Sequence, residues 1–242
     1  MSGLGNGQVE EGGCGAPGLD ERVIVEVRPR ARRLSLRVEP SRDCIVLVRP
    51  KRASDRAVAR FAAEHADWIE RQLAALPARV PLAHGAVIPY RGVDHVVSQT
   101  AGRRGPVTCQ EGVIRVGGQP EHCRRRLTDW LKGEARTTLS ELSREMARSI
   151  DVKVSGVTVR DTRTRWGSCA PNGRLSFSWR LILAPEFVLT YVAAHEVAHL
   201  RHANHSRAFW RTVEKLLEPY GVSIAAAREW MNRSGAGLHR YG

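Results

Sequence analysis

The sequence predicts an α+β fold, in which a buried helix packs against a small sheet and a β-rich N-terminal module comes first. Short apolar runs, several of them alternating, recur before residue 118 and are typical of strands. Residues 121–150 then carry apolar side chains at a spacing of three and four, which predicts one long amphipathic helix. Residues 186–199 are almost continuously apolar and predict a second, buried helix.

The predicted β-rich module covers residues 21–118 and includes one helix. Five runs rich in β-branched residues are predicted strands, the first three of them forming a small antiparallel meander: 23–27, 34–38, 45–48, 93–97 and 113–116. Ser54 is placed to cap a helix whose apolar residues, from Val58 to Leu73, recur at helical spacing. Proline and glycine separate the later strands and mark turns.

The predicted second domain covers residues 119–232. Residues 152–159 suggest a strand, and Pro171-Asn172-Gly173 is a turn signal before the alternating residues Leu175, Phe177 and Trp179. We therefore expect a hairpin that leads directly into the buried helix. A strand so placed can form the wall of a cleft and offer backbone groups to an extended substrate. Residues 1–20 are expected to form a disordered tail and residues 233–242 a loose one.

Histidines are concentrated in the buried helix and just after it, with four of the nine in residues 195–205. His195 and His199 are four residues apart, so a helix projects both rings from one face, where they can bind one metal ion. Glu196 is then placed to take a proton from a water molecule at the ion. Buried ionisable groups are costly unless they are paired or bind a metal. The pattern therefore predicts a metal site in which Glu196 is the catalytic general base.

The third metal ligand is predicted to be His205. His202 would share the helical face, but at a rise of about 1.5 Å per residue it would lie about 7 Å beyond an ion held between His195 and His199. Asn204 offers a turn, because asparagine tolerates the left-handed conformation that ends helices. His205 can then return toward the ion from outside the helix, and His202 is expected to face solvent or the rim of the cleft.

Three histidine ligands predict one Zn²⁺ per chain with a fourth position open, because structural zinc sites normally close with four protein ligands, commonly cysteines. Cys169 is expected to be a small buried thiol and not a ligand. The expected chemistry is metal-assisted hydrolysis, in which Glu196 takes a proton from the attacking water and returns it to the leaving amine.

Composition limits the class of protein. The five cysteines are scattered and odd in number, which favours a reducing, cytoplasmic location over a disulfide framework. There is no apolar run near eighteen residues, so we expect no membrane span. The net charge of +13 comes mostly from arginine and favours a nucleic acid or nucleotide partner on a basic surface. Arginine-rich composition without such a partner is the ordinary alternative.

Several short motifs together resemble the YgjP-like metallopeptidase domain family, which is grouped with the SprT-like and WLM zinc proteases: Arg-Trp-Gly-Ser-Cys at 165–169, Phe-Ser-Trp-Arg-Leu at 177–181, and His-Glu-x-x-His-Leu-x-His-x-Asn-His-Ser-x-x-Phe-Trp at 195–210. The resemblance covers about residues 22–232. It implies a zincin-like fold, zinc on the three histidines, Glu196 as general base, and a protein or peptide substrate. It does not imply a specificity. SprT-like relatives act on DNA-bound proteins, which would suit a basic surface.

Two further residues are candidates for binding substrate. Arg165 can bind a carboxylate or phosphate bidentately near the metal, or it can brace its own loop by hydrogen bonds; the sequence leaves both open. Trp179 is predicted to contact substrate from the strand that forms the cleft wall.

Two other functions stay open at this point. A zinc-dependent hydrolase of nucleotide phosphoanhydrides would make use of Arg165 and the arginine surplus. A nucleic-acid-binding module with a structural metal would bind DNA with steep salt dependence, and Glu196 would then have no role. An intact Glu196 and an open coordination position favour an enzyme.

Overall fold

The computed structural model describes residues 20–39, 44–76, 78–100, 102, 105–162 and 165–242. They form two compact units, which divide between residues 77 and 78. All but the last residue of the predicted tail over residues 1–20, and the predicted turn at 40–43, lie outside the described residues. Among the residues that are described, no helix has the length and apolar composition that crossing a membrane requires.

The first unit contains a three-stranded sheet in the order β1-β3-β2, with strands β1 (Val23–Arg28), β2 (Ser35–Glu39) and β3 (Cys44–Pro50). β2 runs antiparallel to β3, but β1 runs parallel to it. The expectation of an antiparallel meander is therefore corrected. The reason lies in burial: β3 is the most apolar strand, with Ile45 and Leu47 fully buried, so it takes the centre and pairs on both edges.

Two helices, α1 (Asp55–Glu64) and α2 (Ala66–Ala75), complete this unit where the sequence predicted one. Ser54 caps α1 as expected, since its hydroxyl accepts a hydrogen bond from the Ala57 N–H. The helix is interrupted at His65, whose backbone leaves the helical region at φ −114° and ψ 15°. The His65 ring also contacts the Phe61 carbonyl through Nδ1 at 2.8 Å, which holds the break in place.

The second unit begins with a four-stranded sheet in the order β4-β5-β7-β6, formed by β4 (Val87–Tyr90), β5 (Val93–Thr100), β6 (Thr108–Gln110) and β7 (Val113–Gly117). Ile88 and Ile114 share one core with Leu127 of the long helix α3 (Cys123–Ser149). The compact unit therefore starts at Ala78, and not near the predicted boundary at residue 118, because this sheet buries its apolar face in the α3 core. The assignment of catalysis to residues 119–232 stays a prediction.

The β4–β5 hairpin positions the start of the next long helix. Its two-residue turn, Arg91-Gly92, has positive φ at both residues, as tight hairpins prefer. The N–H groups of this turn donate to the carbonyls of Ile182 and Leu183 at 2.8 and 3.2 Å. A Cβ on Gly92 would lie 2.8 Å from the Pro185 Cα, so only glycine permits this approach.

A second three-stranded sheet in the order β8-β10-β9 lies in the same unit, with β8 (Gly156–Arg160), β9 (Gly167–Cys169) and β10 (Arg174–Ser178). The predicted hairpin is confirmed, because β9 and β10 pair antiparallel across the turn at residues 170–173. Residues 152–155 are not a strand. The 3-10 helix Trp179–Leu183 follows β10 and leads into α4 (Glu186–Ala198).

The chain ends in two helices, α5 (Arg207–Leu217) and α6 (Ile224–Ser234), and the 3-10 helix Gly235–Arg240. The end of the chain is not the loose tail that we expected. Leu238 is buried in the core, and the Val80 N–H donates to the Arg240 carbonyl at 2.9 Å. The apolar Leu238 and Tyr241 side chains explain the docking, because packing them removes apolar surface from water.

Candidate metal centre

Helix α4 carries the first part of the site, and its sequence explains both its start and its burial. Pro185 is the N-cap and Glu186 puts a negative charge in the first turn, where the helix dipole favours it. Almost every residue from Val188 to Ala198 is buried, so the helix is surrounded by protein. His195 and Glu196 lie in its last turn and His199 is its C-cap. The described structure thus confirms the predicted buried helix.

Three histidines converge at the end of α4. Candidate ligand atoms of His195, His199 and His205 all lie within 4.8 Å of one another. The Nε2 atoms of His195 and His205 are 3.1 Å apart. Two nitrogens bound tetrahedrally to one Zn²⁺ at about 2.0–2.1 Å would lie about 3.3 Å apart, so this spacing fits a shared metal ion.

The protonation of these rings also suits metal binding. Burial, followed by the nearby His199 and His205, lowers the pKa of His195 to about 4, so its ring is neutral at pH 7. The His199 Nδ1 lies 3.0 Å from the His202 carbonyl and donates to it, which leaves Nε2 of His199 free to bind an ion. His202 itself is half-buried, and its Nε2 pairs with the Thr212 hydroxyl at 3.0 Å.

Helix α5 supplies an apolar floor beneath the histidines. Ser206 caps this helix through its hydroxyl and so fixes the backbone next to His205. The Phe209 ring is fully buried, and its centroid lies 4.6–5.0 Å from the centroids of all three imidazoles. Trp210 stacks on His205 at 5.9 Å. These rings limit the directions in which the imidazoles can turn.

Glu196 is the buried carboxylate of the site, with 6% of its surface exposed. Burial raises its pKa to about 7, against the opposing effect of Arg165. Gly167 of β9 lies directly against it: a Cβ built on Gly167 would be 2.6 Å from the Glu196 Cγ and Oε1. The absence of a side chain at Gly167 therefore makes the space that the carboxylate occupies.

Two cavities meet at this centre. One, of about 250 Å³, lies toward α6, and the other, of about 820 Å³, lies along β9 and the turn that follows it. Gly167, His195 and Glu196 line both of them. The centre therefore lies along a groove and is open to solvent on two sides.

The structure places the other candidate residues, Arg165, Trp179 and Cys169, in three different environments. Arg165 is exposed, and its charge acts on Glu196, but no hydrogen bond of its guanidinium to another described residue supports the role of a brace. Trp179 is 1% exposed in the core, so a substrate cannot reach it, and the prediction that it binds substrate is corrected. Leu175 and Phe177 are buried as well, so the alternating face to which Trp179 belongs packs in the core and not on the cleft. Cys169 lies outside the histidine group and lines the larger cavity.

Sequence reasoning missed several residues of this site. Gly167 could have been suspected, because a glycine inside a strand often marks a close approach of another group. Arg228, Met231 and Asn232 of α6 line the smaller cavity, and no local pattern indicates that this helix returns to the site.

A histidine cluster beside a buried carboxylate in an open groove is the site of a metal-dependent hydrolase. The model of the YgjP-like metallopeptidase domain matches residues 32–234, so the chain belongs to this family of metallopeptidases. Membership implies a metal ion, and the histidine group fits one.

The chain is similar to the metallopeptidase zymogen abylysin of Pyrococcus abyssi, with 22% sequence identity and a TM-score of 0.35 over 43% of this chain and 97% of that one. No curated protein matches the sequence.

Proposed function

We propose that this protein is a zinc-dependent peptidase in which His195, His199 and His205 hold one Zn²⁺ and Glu196 is the general base. The observation that carries this proposal is the convergence of three imidazoles beside a buried carboxylate. Three protein ligands of this type leave a coordination position open, which distinguishes catalytic zinc from structural zinc.

Zinc bound there would supply a Lewis acid that polarises a carbonyl and lowers the pKa of water. Glu196 performs the proton transfers. Its pKa of about 7 lies near neutral pH, where a group can both accept a proton from the attacking water and donate it to the leaving amine. The contact with Gly167 holds the carboxylate in one position for both steps.

A peptide suits this groove because β9 offers a strand edge beside the centre. Among the described strands β9 is an outer one that pairs with β10 alone, and the backbone groups of its other edge would bind an extended peptide. Gly167, Ser168 and Cys169 of β9 line the larger cavity. Backbone hydrogen bonds would bind any extended sequence, and the cavities would select its side chains.

The test is zinc content together with hydrolysis of an unfolded protein such as casein. We expect about one zinc per chain in the wild type, much less in His205→Ala, and no loss in His122→Ala, which removes an exposed histidine remote from the cluster. Glu196→Gln should keep zinc and lose hydrolysis. A protein that cannot be loaded with zinc, or hydrolysis that survives Glu196→Gln, would refute the proposal.

A nucleotide phosphoanhydride hydrolase is the second candidate, and Arg165 favours it. This arginine is exposed, and its charge reaches Glu196. A guanidinium in that position can bind a phosphate bidentately. Nucleotides incubated with the same variants distinguish the two: turnover that depends on Glu196 and Arg165, with no cleavage of casein, would replace the peptidase proposal.

Nucleic acid is a candidate partner of the first unit. Arg28 is opposite Pro50 and Ser35 is opposite Val48, so residues 29–34 and 51–52 emerge at the same end of the sheet. Five exposed cations lie in these segments: Arg30, Arg32, Arg33, Lys51 and Arg52. DNA binding that weakens steeply with salt, and weakens further when these residues are replaced by Gln, is the expected result. Equal binding by that variant would exclude the surface.

A further inference from the structure

The smaller cavity, of about 250 Å³, has the form of a side-chain pocket next to the reacting centre. It begins at Glu196 and His195 and extends between α4 and α6. Trp166, Val192 and Met231 give it apolar walls. Trp166 is held in place, because its ring stacks on His239 at 5.0 Å and packs against the backbone near Gly235. A substrate side chain with methylene groups would therefore be sheltered from water here.

One positive charge stands at this pocket. Arg228 of α6 is exposed, lines the cavity, and has its guanidinium 5.6 Å from the centre of the Trp210 ring. No described acidic residue forms an ion pair with it, whereas Arg233 on the same helix pairs with Glu229. Among the described lining residues the single acid is Glu196, which the proposed mechanism already uses. Within the described part of the chain, the cation at this pocket therefore has no ion-pair partner.

Arg228 lines the same cavity as the reacting centre. Tyr191, His195 and Glu196 form other parts of this lining. An anion bound in the pocket would therefore lie within range of this guanidinium.

We propose that this pocket selects a carboxylate group of the substrate and that Arg228 is the specificity-determining residue. The inference rests on the proposed peptidase function and names its preferred substrate: a peptide with a glutamate side chain, or a free C-terminal carboxylate, beside the scissile bond. The methylene groups of such a residue pack on Trp166 and Met231, and its carboxylate receives two N–H donors from the guanidinium. Asn232 supplies an uncharged polar group at the same rim.

The experiment measures kcat/KM on peptides that differ at one position near the cleavage site, after mass spectrometry has located that site. Glu, Gln and Lys peptides test the side chain, and each is made with a free acid or an amide at its C-terminus to test the chain end. A charge-assisted bidentate contact corresponds to about ten- to hundredfold discrimination, so wild type should prefer the carboxylate over its neutral amide by that factor.

Variants of α6 assign the preference to one residue. Arg228→Ala should bring the Glu-to-Gln ratio toward one, Arg228→Lys should keep part of it, and Arg228→Glu should favour the Lys peptide. Arg233→Glu makes the same change of charge on the same helix and should keep the wild-type ratio. Zinc content and thermal unfolding of each variant verify that the centre and the fold are intact.

The outcomes separate the two proposals. If zinc-loaded wild type cleaves no peptide, the peptidase function fails and this inference falls with it. If wild type cleaves the Glu, Gln and Lys peptides equally in both the acid and the amide series, the peptidase stands and the pocket proposal is overturned. A fall in kcat for every peptide in Arg228→Ala, with the Glu preference unchanged, would also overturn it, because Arg228 would then act on the transition state.

Discussion

Gly167→Ala tests the idea that the glycine of β9 makes room for the general base. The added Cβ would lie 2.6 Å from Cγ and Oε1 of Glu196 and 2.8 Å from its Cδ. The carboxylate would have to move by about 0.8 Å to reach an ordinary contact of 3.4 Å. Glu196 lies on a buried helix, so relief of the clash requires its carboxylate to leave its present place beside β9 and enter the cavities that it lines.

The expected magnitude follows from this crowding. Overpacking of a filled site costs about 1–3 kcal/mol, so the free energy of unfolding should fall by that amount. Displacing a catalytic group by about 1 Å costs about a hundredfold in rate, so kcat on a cleaved peptide should fall about a hundredfold. The three atoms nearest to the added Cβ all belong to Glu196 and none to a histidine, so zinc content should stay near that of the wild type.

The assay combines chemical unfolding, zinc analysis and peptide hydrolysis. Gly133→Ala is the matched control, because its new methyl meets nothing within 4 Å in the exposed middle of α3 and should stabilise by about 0.5–1 kcal/mol. In a Glu196→Ala background the same Gly167→Ala change should cost almost nothing, since the clashing carboxylate is gone. Equal cost in both backgrounds, or a Gly167→Ala enzyme with wild-type kcat, would refute the reasoning.

Three more predictions follow from the site and its supports. In chelator-treated protein, the free energy of unfolding of the wild type should fall by about 3 kcal/mol relative to that of Glu196→Gln as pH rises from 4.5 to 7. The reason is that the folded state keeps the proton on Glu196 up to about pH 7, whereas the unfolded chain releases it near pH 4.5. Thr212→Val removes the hydroxyl paired with His202 and should weaken zinc affinity about tenfold in chelator competition. Gly92→Ala places Cβ 2.8 Å from the Pro185 Cα and should lower the free energy of unfolding by about 1–3 kcal/mol in urea titration.

A different result would contradict each of these three predictions. A stability difference between wild type and Glu196→Gln that does not change with pH would show that the carboxylate titrates as in water. Wild-type zinc affinity in Thr212→Val would show that the His202 contact does not support the ligands. Gly85→Ala is the control for Gly92→Ala, because Gly85 has a φ of +79° but its added Cβ would meet no atom within 4 Å. An equal loss of stability in both variants would show that backbone strain, and not the contact with Pro185, causes the loss.

Local spacing explains what the sequence predicted well. The interval between His195 and His199 fixes one helical face, and the apolar run around them requires burial, so the helix and its histidine pair follow from neighbours in the chain. The helical rise argued against His202, and the turn signal at Asn204 favoured His205 as the third histidine. The structure brings His205 to the place that this argument required.

Long-range packing explains the differences. The parallel pairing of β1 with β3 depends on β3 lying between β1 and β2, and the spacing of residues within each strand does not determine this order. Trp179 continues the alternating pattern of Leu175 and Phe177, but the pattern does not state whether that face lies on the cleft or in the core, and all three side chains are buried. Arg228 reaches the centre only because α6 packs against α4, a contact between residues more than thirty positions apart.

X-ray absorption at the zinc edge tests the central claim most directly. The zinc-loaded protein should show three imidazole nitrogens at about 2.0–2.1 Å and one oxygen donor from water, and His205→Ala should lose one imidazole. A sulfur at about 2.3 Å, which would implicate Cys169, or a closed shell of four imidazoles would contradict a catalytic zinc held by His195, His199 and His205.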